Sequence, residues 1–453
     1  MVKTLLILMG GDALMAVLAL YLGALLHHGS WIMRDPELAA DPSRSLLFVF
    51  ILLGTTYFCE LYSRDQRYRK GEVFKRIAGS LLLAFVVMSA LYYLWPQVVP
   101  GRTPLLVALL CFGLAQYLWH NRYPLLFKIP GVAQRVLILG VGPLAQQIAA
   151  ALGSTKHNYV LAGFVQPDGE VASMPRKMLR GSASSLAEIV LNEKIDKIVI
   201  SLSERRGILP VAALLQCKFN GIEIVDAMSF HEQVAGKLLI KHTTPGWFIF
   251  SDGFHITPTI RMAKRALDLS FAAIVSLAAL PVIPLVILAI RLDSPGPILF
   301  RQSRVGERDN SFLLFKFRTM RPDAEAQTGA VWAQQNDPRV TAVGRFLRKT
   351  RLDEIPQLYN VLRGDMSFVG PRPERPEFVA NLQESIPYYS KRHCVKPGLT
   401  GWAQVNYPYG ASEEDALEKL RYDLYYIKHY SLILDLLIVL ETVKVVLFGK
   451  GGR

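Results

Sequence analysis

Asp353 and Glu354 stand side by side in the run Arg351-Leu352-Asp353-Glu354-Ile355-Pro356. Neighbouring side chains on a helix project about 100° apart, so this pair suits two separate roles rather than one shared proton. From Arg301 to Arg351 the sequence places eleven basic residues, among them Lys316, Arg318, Arg348 and Arg351, against five acidic ones. Guanidinium forks grip phosphate oxygens in bidentate fashion. No aromatic interleaving and no helix-turn-helix pattern accompany them, which turns the reading away from nucleic acid. The same field at a membrane surface would grip anionic lipid. With Asp353 as a helix cap and Pro356 in the first turn, a carboxylate among these cations is expected to stay ionised, the state a nucleophile or a Mg²⁺ ligand requires.

A second constellation is Gly140-Val141-Gly142, which follows the apolar run Arg135–Leu139 and precedes a helical pattern from Gln146 to Leu152. Strand, glycine turn and helix in this order open a Rossmann-type unit, because small residues let the backbone approach a phosphate at a helix N-terminus. Further short apolar runs at Tyr159–Val165, Lys197–Leu202 and Ile222–Val225 imply a small parallel sheet. As a cofactor site the pattern is weak. The ribose-holding acid expected at the end of the second strand is replaced by Gln166-Pro167, with Asp168 late. No tyrosine has a lysine four residues on, so a redox dehydratase or epimerase would lack its proton-transfer pair. A structural or regulatory domain is the reading preferred here. Four scattered cysteines exclude a disulfide framework and a CxxC zinc site.

The elements that must position these residues are in part membrane elements. The chain has 453 residues, 51% hydrophobic and 19% charged, with a net charge of +14 and a mean hydropathy of +0.26. Apolar runs at Leu5–Leu26, Ser45–Leu61, Ile77–Leu94 and Thr103–Trp119 predict a bundle of four transmembrane helices. The cations Arg64, Arg67, Arg69, Lys70 and Lys75 between the second and third runs put both ends of the bundle in the cytoplasm. Asp12 and Glu60 are expected to face neighbouring helices rather than form an ion relay. A fifth apolar run, Ala266–Ile290, is broken by Pro281 and Pro284 and flanked on both sides by basic residues. These features predict a re-entrant hairpin, 264–291, dipping into one leaflet. The tail 429–447 reads as an interfacial amphipathic helix. The fold class expected is a membrane protein, α plus α/β, in three parts. These are a transmembrane bundle (1–130), a Rossmann-like domain (131–257) and a mostly helical domain (258–453) carrying the carboxylate pair.

The last part also resembles a known family. Lys264-Arg265-x-x-Asp268, Asp293-Ser-Pro-Gly-Pro297, Phe315-Lys316-Phe-Arg318-Thr-Met320, Leu352-Asp353-Glu354, Gly364 to Pro373 and Lys396 to Asn406 occur in the order found in bacterial sugar transferases. These are the monotopic polyprenyl-phosphate hexose-1-phosphate transferases, and the two preceding parts resemble the long form of that family. The resemblance implies transfer of a sugar 1-phosphate from a UDP-sugar to undecaprenyl phosphate, with release of UMP, at the cytoplasmic face of a bacterial inner membrane. By motif, Asp353 would be the nucleophile and Glu354 its partner in holding Mg²⁺ or handling a proton. Lys316, Arg318, Arg348 and Arg372 would bind phosphate or nucleotide. One departure is that the hairpin breaks at Leu280-Pro281, where the family commonly has Ser-Pro. A homodimer is left open, and the rival function is a non-catalytic, nucleotide-binding membrane assembly or regulatory protein.

Overall fold

The computed structural model describes residues 2–28, 42–59, 61–62, 70–94, 102–126, 134–154, 159–167, 175–202, 209–243, 245–321, 337–408, 410 and 412–448. Glu60, Asp168 and the loop cations Arg64, Arg67 and Arg69 lie outside the described residues. The chain forms two compact units, Met1–Phe230 and His231–Arg453.

Among the described residues the first unit begins with four helices, α1 (Val2–His28), α2 (Pro42–Phe58), α3 (Lys70–Leu94) and α4 (Arg102–Leu126). They share a core in which Ala16, Ala84 and Ala108 are fully buried beside Phe48, Leu52 and Phe112. Small residues at the seam let the helices approach closely. The opposite faces expose Leu14, Leu46, Phe50, Leu82 and Leu110. Asp12 is fully buried, and it accepts hydrogen bonds from Tyr62 Oη (2.6 Å), Gln116 Nε2 (2.9 Å) and His120 Nε2 (3.1 Å). It therefore faces neighbouring helices, as expected. Among the described residues only Val73–Tyr93 is by itself long and apolar enough to cross a membrane, while Ile7–Gly23 and Ser45–Phe58 are shorter apolar helices. Of the four spans read from the sequence, the described residues thus show four packed helices, one of which is by itself long and apolar enough to cross.

The same unit contains a five-stranded parallel sheet in the order β3-β2-β1-β4-β5. Its strands are β1 (Gln134–Leu139), β2 (Tyr159–Gln166), β3 (Leu179–Ser182), β4 (Lys197–Ile200) and β5 (Glu223–Asp226). The order places β1 centrally, as in a Rossmann-type sheet. Strand β3 escapes the sequence pattern because Leu-Arg-Gly-Ser is short and not an apolar run. Helix α5 (Pro143–Ser154) follows the glycine turn.

The second unit starts at His231, ahead of the boundary expected at 257/258. The reason is packing. Glu232 accepts from Lys428 Nζ (2.6 Å) and pairs with His429, and Gly236 O accepts from the Trp402 indole (2.9 Å). Helices α6 (Pro258–Ala279) and α7 (Ile283–Asp293) follow, and they bend by 63° at the break that holds Pro281. Pro284 does not add a second break, since it lies in the first turn of α7, where no intrahelical N–H is needed. Both helices expose large apolar side chains, including Ile274, Leu277, Leu285 and Leu288.

Two hairpin strands, β6 (Leu299–Val305) and β7 (Ser311–Phe317), pair antiparallel with Phe300 opposite Lys316. Helices α8 (Ala342–Thr350) and α9 (Gln357–Arg363) come next. Beyond them β8 (Ser367–Val369) pairs parallel with β9 (Gly398–Thr400), and α10 (Glu413–Lys428) and α11 (Leu432–Phe448) close the unit. Helix α11 buries Asp435 and Ile438 while exposing Ile433, Leu436 and Leu440.

Candidate active site

The carboxylate pair sits where the chain reverses between α8 and α9. Arg351 takes left-handed backbone angles, φ 59° and ψ 14°, and a 3₁₀ turn over Leu352–Glu354 follows at once. This conformation is unfavourable for a non-glycine residue. The reversal turns Asp353 and Glu354 inward, leaving them only 7% and 8% exposed.

Three contacts fix the reversal to its surroundings. Asn360 of α9 donates to Leu313 O (2.8 Å) and accepts from Phe315 N (3.2 Å), tying the helix to the strand that carries Lys316. Arg265 of α6 donates to Val361 O (2.6 Å) and Leu362 O (2.8 Å), satisfying carbonyls left open at the end of α9. Helix α8 lies against the backbone after β7, since a Cβ at Gly344 would stand 2.1 Å from Thr319 O.

One Glu354 carboxylate oxygen receives Lys316 Nζ at 2.9 Å and an Arg372 guanidinium nitrogen at 2.8 Å, with Arg351 at 4.0 Å. Burial acts to raise the Glu354 pKa, but the charges of Lys316, Arg372 and Arg351 outweigh it and hold the carboxyl well below the usual range. For Asp353 the balance reverses. Burial pushes its pKa up, only partly opposed by Lys316, and the neighbouring Glu354 charge adds to the rise. Glu354 takes the close cationic contacts, and Asp353 is left with a buried Oδ1 that has no hydrogen-bond partner. Burial also lowers the Lys316 pKa, against the attraction of Glu354.

Arg348 donates from Nε to Thr319 Oγ1 (2.9 Å), and its charge acts on Asp353. Arg318 is placed differently from the expectation. It is 6% exposed and donates to Pro295 O (2.9 Å), Ser294 O (2.6 Å) and Ser294 Oγ (3.0 Å). Its two terminal nitrogens thus brace the turn that follows α7, while its buried Nε has no hydrogen-bond partner.

The Arg372 main chain is held by a residue that the sequence reading missed. Buried Arg392 donates to Arg372 O (2.9 Å) and to Tyr389 Oη (2.6 Å), and pairs with Asp423 at 2.8 Å. Tyr389 is local, three residues back in the same 3₁₀ turn, but no spacing announces the contacts to Arg372 and Asp423, which lie on separate segments. In the Gly364–Pro373 run, Gly364 is explained by its left-handed φ of 98° and Gly370 by backbone approach, since a Cβ there would fall 2.4 Å from Lys396 O; a Cβ on Gly398 would likewise fall 2.0 Å from Gly370 N. Asp268 anchors the strand between them, accepting from Ser367 Oγ and Phe368 N at 3.0 Å each. Trp402 packs, stacked on Tyr425 with centroids 5.9 Å apart.

The glycine turn of the first unit has a packing role too. Gly140 has φ 126°, and a Cβ there would meet Ser201 Oγ at 2.5 Å. Gly142 O accepts from Gln146 N (3.2 Å), but Pro143 opens α5, and proline supplies no N–H to a phosphate.

Among the described residues no group of three or more His, Cys, Asp or Glu could enclose a metal. The adjacent carboxylates Asp353 and Glu354 are as many as Mg²⁺ takes from a protein, its other positions going to water and substrate phosphates. The orphaned Asp353 Oδ1 is a ligand of the required kind.

Residues 259–449 match the family model described as bacterial sugar transferase. The chain is 40% identical over 240 residues to a UDP-N-acetylgalactosamine-undecaprenyl-phosphate N-acetylgalactosaminephosphotransferase of Aeromonas hydrophila, covering 53% of this chain and 56% of the relative. It is 33% identical over 339 residues to an undecaprenyl-phosphate glucose phosphotransferase of Komagataeibacter xylinus, covering 71% of this chain and 60% of the relative. These two relatives are therefore spanned only in part. An exopolysaccharide production protein, PSS, of Rhizobium leguminosarum bv. phaseoli is matched over 97% of its length, and 42% of this chain, at 41% identity. With the Asp353–Glu354 pair and its cations lying inside the matched segment, the chain belongs to the bacterial sugar transferase family.

Proposed function

We propose that the protein transfers a sugar 1-phosphate from a UDP-sugar to undecaprenyl phosphate, releasing UMP, as the first membrane step of a polysaccharide pathway. The observation that carries this reading is the buried Asp353 with its unpartnered Oδ1, beside a Glu354 that Lys316 and Arg372 already neutralise. Asp353 attacks the phosphorus that bears the sugar, an O–P bond forms, and the bond from that phosphorus to the UMP oxygen breaks with its electron pair leaving on UMP. An oxygen of the lipid phosphate then attacks the same phosphorus, and the Asp353 carboxylate departs. Two displacements let one site serve a soluble donor and a lipid acceptor in turn.

Asp353 and Glu354 would hold Mg²⁺ beside the donor phosphates. Bound there, the ion neutralises charge on the pyrophosphate. Lys316, Arg372, Arg351 and Arg348 supply the remaining positive charge around the transferred group. The apolar outer faces of α6 and α7 and their 63° bend support a hairpin that enters one leaflet and returns. The bundle helices α1 to α4 would cross the membrane, and the carboxylates would work at the cytoplasmic surface among anionic lipids.

Membranes containing the protein, given radiolabelled UDP-sugars, Mg²⁺ and undecaprenyl phosphate, should yield UMP and a lipid-linked sugar phosphate in equal amounts. Absence of both products across a panel of donors rejects this reaction.

A further inference from the structure

Beyond the carboxylate pair, the same turn holds a second buried polar atom with nothing to bond. Gln357, the first residue of α9, is 3% exposed, and its Nε2 has no hydrogen-bond partner. It follows Asp353 by four residues and Glu354 by three. The intervening Ile355 (φ −51°, ψ −42°) and Pro356 (φ −62°, ψ −18°) keep right-handed helical angles. Residues three and four apart on such a turn share a face, so Gln357 lies on the face of the two carboxylates.

A buried donor and a buried acceptor this close along one helix face could have satisfied each other, yet Asp353 Oδ1 and Gln357 Nε2 both stand alone. Leaving a buried donor unmet is destabilising, and an apolar residue of the same length would remove the penalty. Gln357 also differs from its neighbours in kind. Lys316, Arg372 and Arg351 converge on Glu354, whereas a neutral amide can donate without raising the charge of the site. Orphaned groups of this sort fit a site built for a bound state.

We propose that Gln357 is a catalytic residue, whose side-chain N–H donates to a non-bridging oxygen of the phosphoryl group while that group moves onto Asp353. This rests on the transfer reaction proposed above. In that step the Asp353 O–P bond forms and the P–O bond to UMP breaks, and Gln357 neither gains nor loses a proton. Negative charge spread over the non-bridging oxygens is what the N–H meets, and the contact is strongest where the phosphorus passes between the two oxygens.

The test is Gln357→Met in the full-length protein, with two readouts. The melting temperature without substrate should equal or exceed that of the wild type, since an unmet donor is gone. The kcat of UMP release should fall by about 100-fold, as for loss of one oxyanion donor, while KM for the UDP-sugar changes less than about 3-fold, because the bond is made chiefly in the transition state. A variant that melts several degrees lower and loses activity only in proportion to its folded fraction overturns the proposal, and so does one that turns over like the wild type. If the Met variant does not fold, Gln357→Glu decides: the isosteric carboxylate cannot donate when ionised, so wild-type turnover there also overturns it. A wild-type protein that releases no UMP from any UDP-sugar rejects the reaction itself. An active wild type with an equally active Met variant rejects only the role of Gln357.

Discussion

Glu354 and Asp353 are adjacent in sequence and opposite in electrostatic circumstance, because side chains about 100° apart meet different neighbours. Lys316 and Arg372 both reach Glu354, while burial dominates at Asp353. Asp353→Asn should therefore cut UMP release by more than about 10³-fold even without lipid acceptor, and should remove a sugar-phosphate adduct detectable by intact-protein mass spectrometry. The arginines separate by the same logic. Arg372→Met should lower turnover by about 10²-fold with little change in melting, since it removes a charge from the site. Arg318→Met should instead destabilise the fold by about 3 kcal/mol, because three bonds to the Ser294–Pro295 turn are lost. Denaturant unfolding beside UMP assays distinguishes the two, and equal effects of both substitutions on activity at unchanged stability would contradict the assignment. The sequence made the carboxylate pair and Lys316 legible through their charge and motif. It could not tell Arg318 from Arg372, because a guanidinium that binds carbonyls and one that binds a carboxylate look the same in one dimension.

At the level of elements, periodicity predicted well where one face of an element is apolar and poorly where a backbone contact decides. The strands β1, β2, β4 and β5 lie where apolar runs were read, and the proline break in the α6–α7 pair falls at Pro281. Strand β3 and the glycine contacts were invisible, since Gly344, Gly370 and Gly398 act through the side chain they lack. Gly344 is the informative case. Thr341 Oγ1 accepts from its N–H (3.0 Å) as the cap of α8, and its missing Cβ lets α8 settle on Thr319 O, next to which Arg348 bonds Thr319 Oγ1. Gly344→Ala has the better helix propensity, so propensity alone predicts a gain of about 1 kcal/mol. The clash predicts the opposite, a loss of about 3 kcal/mol together with reduced activity, because α8 carries Arg348. A urea titration of the variant decides which effect wins.

For the whole molecule, the family match begins at residue 259 whereas the compact C-terminal unit begins at His231, and the intervening stretch is part of its core. His231 is buried, with Nδ1 against Lys237 O (3.2 Å), and burial lowers its pKa to about 4. The unfolded chain, with an ordinary histidine near 6.5, then binds more protons than the folded one at acid pH. Stability from this group is complete above about pH 6.5, falls as the pH drops toward 4, and amounts to about 3 kcal/mol. Thermal unfolding between pH 7 and pH 4 should show that slope, and His231→Gln should flatten it. The same stretch supplies Glu232 to Lys428 and Gly236 O to Trp402. Cutting at 258 removes Glu232 from Lys428 and the buried Leu238 and Ile240 from the core, and each buried aliphatic side chain of this size contributes about 1.5–3 kcal/mol. A fragment comprising 231–453 should therefore unfold cooperatively and retain UMP release in detergent, whereas 258–453 should be less stable by at least that amount and lose activity in step. Equal stability of the two fragments would mean that residues 231–257 only rest on the surface of the unit, and the pH slope assigned to His231 would have to come from elsewhere.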